Sequence, residues 1–192
     1  MSWKWIRNSQ AALLGLVLVV AATSDIASQG AASPKGMVIL TIAGDISNTN
    51  RGPMNDKRDA YFKFHDIKFD RAYQFDQTML DQLKQGSVKV NPPQTDGPVV
   101  LKGALLSEVF KLVGVPEGAS IRTVALDGFS TEISPEQIKA HDWVLGSTED
   151  GRPLVIGAQG PLWMVYTPTK VNVSEKEEHE WPWALFYIEV KK

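Results

Sequence analysis

LKGALLSEVFKLVGVPEGASIRTVALDGFSTEI, residues 101–133, is the stretch from which the architecture is read. Leu105, Leu106, Val109, Phe110 and Val113 recur at the spacing of one helix face, which predicts a helix over residues 103–114 with Gly114 as its left-handed stop. Residues 121–126 then read as a strand, Asp127-Gly128 as a turn, and residues 129–133 as the returning strand. C-terminal to this, Ser134-Pro135-Glu136-Gln137 opens a short helix through residue 140, with Ser as cap, Pro first and Gln third. Residues 143–146 and 154–157 flank Glu149-Asp150-Gly151 as a hairpin, and residues 162–166 form a further strand. Residues 183–190 close the chain, with Leu185, Tyr187 and Glu189 alternating against Phe186, Ile188 and Val190. On the N-terminal side, Val38, Ile39, Leu40 and Ile42 predict a strand over residues 37–46, and residues 47–70 a long polar loop. Asp76 caps a short helix through Gln85 with Gly86 as its stop. Residues 87–90 form a strand, and residues 91–97, with Pro92 and Pro93, a turn-rich loop. Many strands with few short helices make a β-rich α+β fold.

The first residues carry a different signal. Lys4 and Arg7 precede an apolar run over residues 11–22, and small and polar residues follow through residue 33. That order is a secretory signal pattern, which places cleavage after Ala22, Gly30 or Ala32. The run is shorter than the roughly 20 apolar residues of a membrane span, so no stable membrane anchor is expected. No Arg pair stands among the first residues, which favours the general export route for an unfolded chain. The expected organisation is a signal and cleavage region over residues 1–32 and one domain over residues 35–192, periplasmic or secreted. About 160 residues suffice for a self-supporting core. The formal charge of -2 and the lack of a basic stripe argue against nucleic acid as partner. The chain has no cysteine, which removes disulfides, thiolate metal ligands, cysteine nucleophiles and a lipidation cysteine together.

No catalytic arrangement emerges. His65, His141 and His179 lack metal-ligand spacing and read as surface or core histidines. Glu175, Glu177, Glu178 and Glu180, with Lys176, read as a solvated loop rather than a cation site. Asp127 reads as a turn former. Trp163, Trp181 and Trp183 are core residues by default, with a ligand wall as the functional alternative. Asn48, Asn50 and Arg51 have loop chemistry as their plain reading and recognition of an anionic group as their functional one.

Four stretches point further: Lys102-Gly103-Ala104-Leu105-Leu106, Ala125-Leu126-Asp127-Gly128-Phe129-Ser130, Gly151-Arg152-Pro153-Leu154, and Gly160-Pro161-Leu162-Trp163-Met164-Val165-Tyr166-Thr167-Pro168. In order and spacing, residues 101–190 resemble the oxidoreductase molybdopterin-binding domain, the core fold of sulfite oxidases, while residues 46–73 depart from it. The resemblance implies a β-rich fold that holds a pterin-bound molybdenum. It also implies a metal-ligating cysteine in the loop after the second core strand. That loop corresponds to Val90-Asn91-Pro92-Pro93-Gln94-Thr95, which has none. Amide and hydroxyl oxygens do not replace a soft thiolate, and a lost metal ligand implies a lost redox step.

The reading is therefore a non-catalytic, exported ligand-binding or sensory-accessory module. Its expected site is bounded by Asn48, Asn50 and Arg51, by Asn91, Gln94 and Thr95, and by Trp163 as a wall. No catalytic residue, metal or cofactor is assigned. Expected partners are a small-molecule ligand or an envelope protein. The alternatives are a molybdopterin-dependent oxidoreductase without a cysteine ligand and a structural subunit of an envelope complex.

Overall fold

A computed structural model of the chain describes Met1, residues 32–93 and residues 95–192; nearly all of the expected signal segment, and Gln94, lie outside the described residues. The elements follow in the order β1 (Val38–Gly44), α1 (Ala60–Phe64), β2 (Ala72–Asp76), α2 (Gln77–Asp81), β3 (Gln85–Val90), β4 (Val99–Leu105), α3 (Leu106–Val113), β5 (Ser120–Ala125), β6 (Ser130–Ile133), α4 (Pro135–Ala140), β7 (Trp143–Glu149), β8 (Arg152–Pro153), β9 (Trp163–Tyr166), α5 (Glu175–Glu178) and β10 (Leu185–Lys191). They form two sheets. The first has the order β2-β1-β10-β5-β6, and the second β3-β4-β7-β8 with β9 also paired to β7. Among the described strands every pairing is antiparallel except β1 with β10, which is parallel and sets Thr41 beside Tyr187.

The main core draws on both sheets and α3. Leu40, Ile42, Ile121 and Ile188 of the first sheet join Val88, Leu101, Leu145 and Val165 of the second, with Leu106, Val109 and Val113 from the helix. The other face of the first sheet is covered as well. Ala43, Val124, Phe186 and Tyr187 pack with Ile67 and Phe69, and Phe62 of α1 leans on them. This explains β10. As the middle strand of a sheet covered on both sides, it is buried from Leu185 through Ile188 and again at Val190.

Several local expectations hold and several do not. Gly114 ends α3 in the left-handed region at φ 71°, and Ser134 and Gln137 form the expected capping box on α4. Gly103, Ala104 and Leu105 are not helical. They belong to β4, hydrogen-bonded between β3 and β7, because tertiary pairing on both sides overrides the local helical pattern. Gly86 is likewise not a helix stop but a strand residue opposite Gly103, and Gly103 in turn faces Gly146 of β7. Three strands thus carry a glycine in one row. Residues 154–157 form no strand; the hairpin partner of β7 is the two-residue β8. The polar loop contains α1, and the charged run contains α5, opened by a capping box between Ser174 and Glu177. No described helix is long and apolar enough to cross a membrane.

Asp76 fastens the start of the described chain. It caps α2 by accepting from the Met79 N–H at 2.9 Å, and its second oxygen accepts from the Lys35 and Gly36 N–H groups at 2.7 and 2.8 Å.

Candidate functional site

The expected site residues are not brought together as one mouth. Asn50 is used locally: its amide donates to the Ala32 and Gln74 carbonyls at 2.8 and 2.9 Å and its oxygen accepts from the Gln74 N–H at 2.7 Å. Asn48 donates to Leu112 O at 2.7 Å, filling an open carbonyl near the end of α3. Arg51 pairs with Asp59 and lies 5.0 Å and 5.7 Å from the centres of the Phe69 and Phe62 rings. An anionic ligand would have to displace that internal carboxylate. On the other sheet, Asn91 donates to Asn172 Oδ1 at 2.8 Å, and the Thr95 hydroxyl lies 3.0 and 2.9 Å from the Pro92 and Gly97 carbonyls. Thr95 borders an open acidic shelf with Asp96, Glu149, Asp150 and Gln159. Trp163 is no wall of an opening. It is 0% exposed in β9, with its indole N–H unpartnered.

Asp59 and Asp76 set an acid limit on the fold. Burial pulls the Asp59 carboxyl upward, but the Arg51 hydrogen bond and the Asn55 N–H outweigh it and hold it below the ordinary value. The Gly36 and Met79 N–H groups lower Asp76. In both, the unfolded chain binds the proton more tightly than the folded chain. Their stabilisation is therefore complete above the ordinary aspartate range, about pH 4, and is lost as pH falls through the folded values. Melting temperatures are expected to hold between about pH 7 and 5 and to fall below about pH 4. Asp76→Asn should remove part of that dependence. A melt unchanged down to pH 3 would refute the assignment.

Two concavities among the described residues flank the β5–β6 turn. On one side, Tyr61 and Phe62 of α1, Leu126, Ile156, Pro161 and Phe186 line an apolar groove of about 230 Å³. Its floor is β1 and β2, where Gln74 donates to the Thr41 hydroxyl at 3.2 Å. The Tyr61 hydroxyl donates to Leu126 O at 2.5 Å, fixing α1 against the turn. On the other side, Asp127, Phe129, Glu178, His179, Trp181 and Trp183 line a second pocket of about 190 Å³. Asp127 shapes the turn, as expected, by accepting from the Phe129 N–H at 2.9 Å, while Gly128 takes φ 90°. Trp181 is buried edge-on to Tyr166 at 5.1 Å, with its N–H short of a proper hydrogen bond to the Tyr166 hydroxyl. Burial and the Glu180 charge push that hydroxyl up to about 12.

The sequence reading gave no binding role to Tyr61, Leu126, Phe129, Ile156 or Phe186. An aromatic directly after Asp-Gly was the available signal, since a turn residue has little core to fill. Trp183 was weighed as a wall, and it does line a pocket.

No protein-family model matches the chain, and no curated protein matches it. Among solved structures it is similar to the sulfane dehydrogenase SoxCD from Paracoccus pantotrophus, at 14% identity and a TM-score of 0.52. The match covers 79% of this chain and 37% of that one, so the similarity spans little more than a third of that neighbour. At this identity the likeness shows the fold alone. With the two sheets and few short helices, it bears out the expected β-rich α+β architecture.

Proposed function

We propose that the chain is an exported, non-catalytic binding module on a sulfite oxidase-like fold, whose ligand face is the pair of concavities at the β5–β6 turn. The observation that carries this reading is the half-open aromatic lining there: Tyr61 beside one concavity, and Phe129 and Trp183 beside the other, are exposed large side chains gathered around one turn. Apolar walls with a few placed polar groups are the usual form of a binding site. The signal pattern of the first residues supports a periplasmic or secreted location.

The donor set at residues 91–95 does not fit a thiolate-held molybdenum. The chain has no cysteine, the Asn91 side chain is engaged by Asn172, and the Thr95 hydroxyl is engaged within its own loop. Hard amide and hydroxyl oxygens are poor substitutes for a soft ligand. No group of three or more acidic, histidine or cysteine side chains among the described residues is arranged to hold a metal ion. Protein purified from its own envelope, without added metal, is expected to carry far less than one molybdenum per chain by elemental analysis. A full equivalent retained through gel filtration would overturn the proposal in favour of an oxidoreductase.

A further inference from the structure

We propose that the pocket between the β5–β6 turn and α5 binds an organic ammonium group. This rests on the reading of the chain as a binding module and names its ligand class. Six side chains line the pocket, and none is Lys or Arg: Phe129, Trp181 and Trp183 are aromatic, Asp127 and Glu178 are acidic, and His179 is the sixth. The acids have no Lys or Arg partner among the described residues. Neither Asp127 nor Glu178 forms an ion pair among the described residues, although six such pairs occur elsewhere. Asp127 is held in place by the turn, since one of its oxygens accepts from the Phe129 N–H.

The aromatics supply the second half of the recognition. Phe129 and Trp183 remain 40% and 37% exposed, so their rings are open to a ligand, while Trp181, at 1%, backs the cavity. A cation gains from ring faces as well as from carboxylates, and the gain is larger where water is excluded. Burial pushes the Glu178 carboxyl up, as does the charge of Glu175, while His179 opposes the shift; an incoming positive charge would relieve that cost. His179 also has a defined role. Its Nδ1 lies 2.5 Å from the Glu175 carbonyl oxygen, an acceptor only, so Nδ1 carries a proton there and the contact fixes the ring at the pocket's edge.

The walls argue for an organic cation over a metal ion, because aromatic faces offer none of the oxygen ligands that hard metals require. The volume, about 190 Å³, lies below the about 300–1,000 Å³ of drug-sized sites and suits a headgroup. That headgroup belongs to a free small molecule or ends a longer one.

The test is a titration of the purified chain, at constant ionic strength, with choline, tetramethylammonium, Nα-acetyl-lysine amide and sodium. 3,3-Dimethylbutanol, a neutral isostere of choline, is the charge control. Binding is read by calorimetry and by the fluorescence of the pocket tryptophans. Saturable binding of choline at least about tenfold tighter than of its neutral isostere is expected. The lysine derivative distinguishes a primary amine on a larger molecule from a free quaternary ligand. Trp183→Ala and Glu178→Gln, both at partly exposed positions, should each weaken binding about tenfold while melting like the parent. Equal binding of the neutral isostere, no binding of any ammonium, or full binding by both folded variants would overturn the inference. A molybdenum-free protein that ignores ammonium ligands would sink this inference alone. A full molybdenum equivalent together with choline binding would sink the proposed function and leave the pocket.

Discussion

A Gly103→Ala protein is expected to fail to assemble β4 against β7. A Cβ at this position would stand 1.8 Å from the Leu145 carbonyl oxygen, 2.6 Å from its carbon and 2.9 Å from the Gly146 Cα. All three are backbone atoms, so no rotamer change relieves the clash and the two strands must part. β4 is the second strand of its sheet, paired on both sides, so parting them opens the sheet rather than an edge. The cost exceeds the about 1–3 kcal/mol of ordinary overpacking. It is a large share of the about 5–15 kcal/mol that holds a domain together. Loss of soluble protein, or a collapse in denaturant midpoint, is the expected measurement. Gly52→Ala is the matched control: nothing lies within 4 Å of its added methyl, and its stability should stay within about 0.5 kcal/mol of the parent. A Gly103→Ala protein with the parent's midpoint would show that β4 and β7 are not paired as described.

Trp163→Ala should cost about 3–5 kcal/mol, the usual range for truncating a fully buried Trp. For a chain of this size that lowers the melting temperature by about 6–20 °C. Its neighbours Met164 and Val165 in β9 are also completely buried, so little is free to collapse into the space. Trp163→Phe separates packing from polarity. The indole N–H has no partner, so phenylalanine forfeits no hydrogen bond and should lose much less stability. Trp163 lines neither concavity at the β5–β6 turn, so a folded Trp163→Phe protein should respond to ligands as the parent does. A ligand defect without a stability defect in either variant would return Trp163 to the binding site.

The two substitutions also mark what was legible in the sequence. Elements with their own local chemistry were readable: the Asp-Gly turn, the Ser-Pro-Glu-Gln helix start and the Gly114 stop each carry their geometry in consecutive residues. Gly103 shows the limit. Read locally, it begins a helical pattern; its strand role comes from β3 and β7, remote in sequence, which press backbone to within a Cβ's reach. α1 was illegible for a similar reason, since five residues carry little helical periodicity and are positioned by Phe62 and Tyr61 packing onto β10. The candidate site was harder still. Polar residues in loops look available on paper, but Asn48, Asn50, Arg51 and Asn91 turn out to be spent on their own surroundings. Aromatic residues look like core, yet Phe129 and Trp183 sit half outside because a turn and a strand lead-in hold them there.

The parallel seam between β1 and β10 puts the first described strand next to the last described one. Removing residues 185–191 would leave β2–β1 and β5–β6 as two hairpins with no common edge, each marginal in water by itself. A ribosome adding about 5–20 residues per second takes roughly 7–28 seconds between making β1 and making β10. Through that interval β1 has no lasting partner on its β10 side, and the first sheet cannot close.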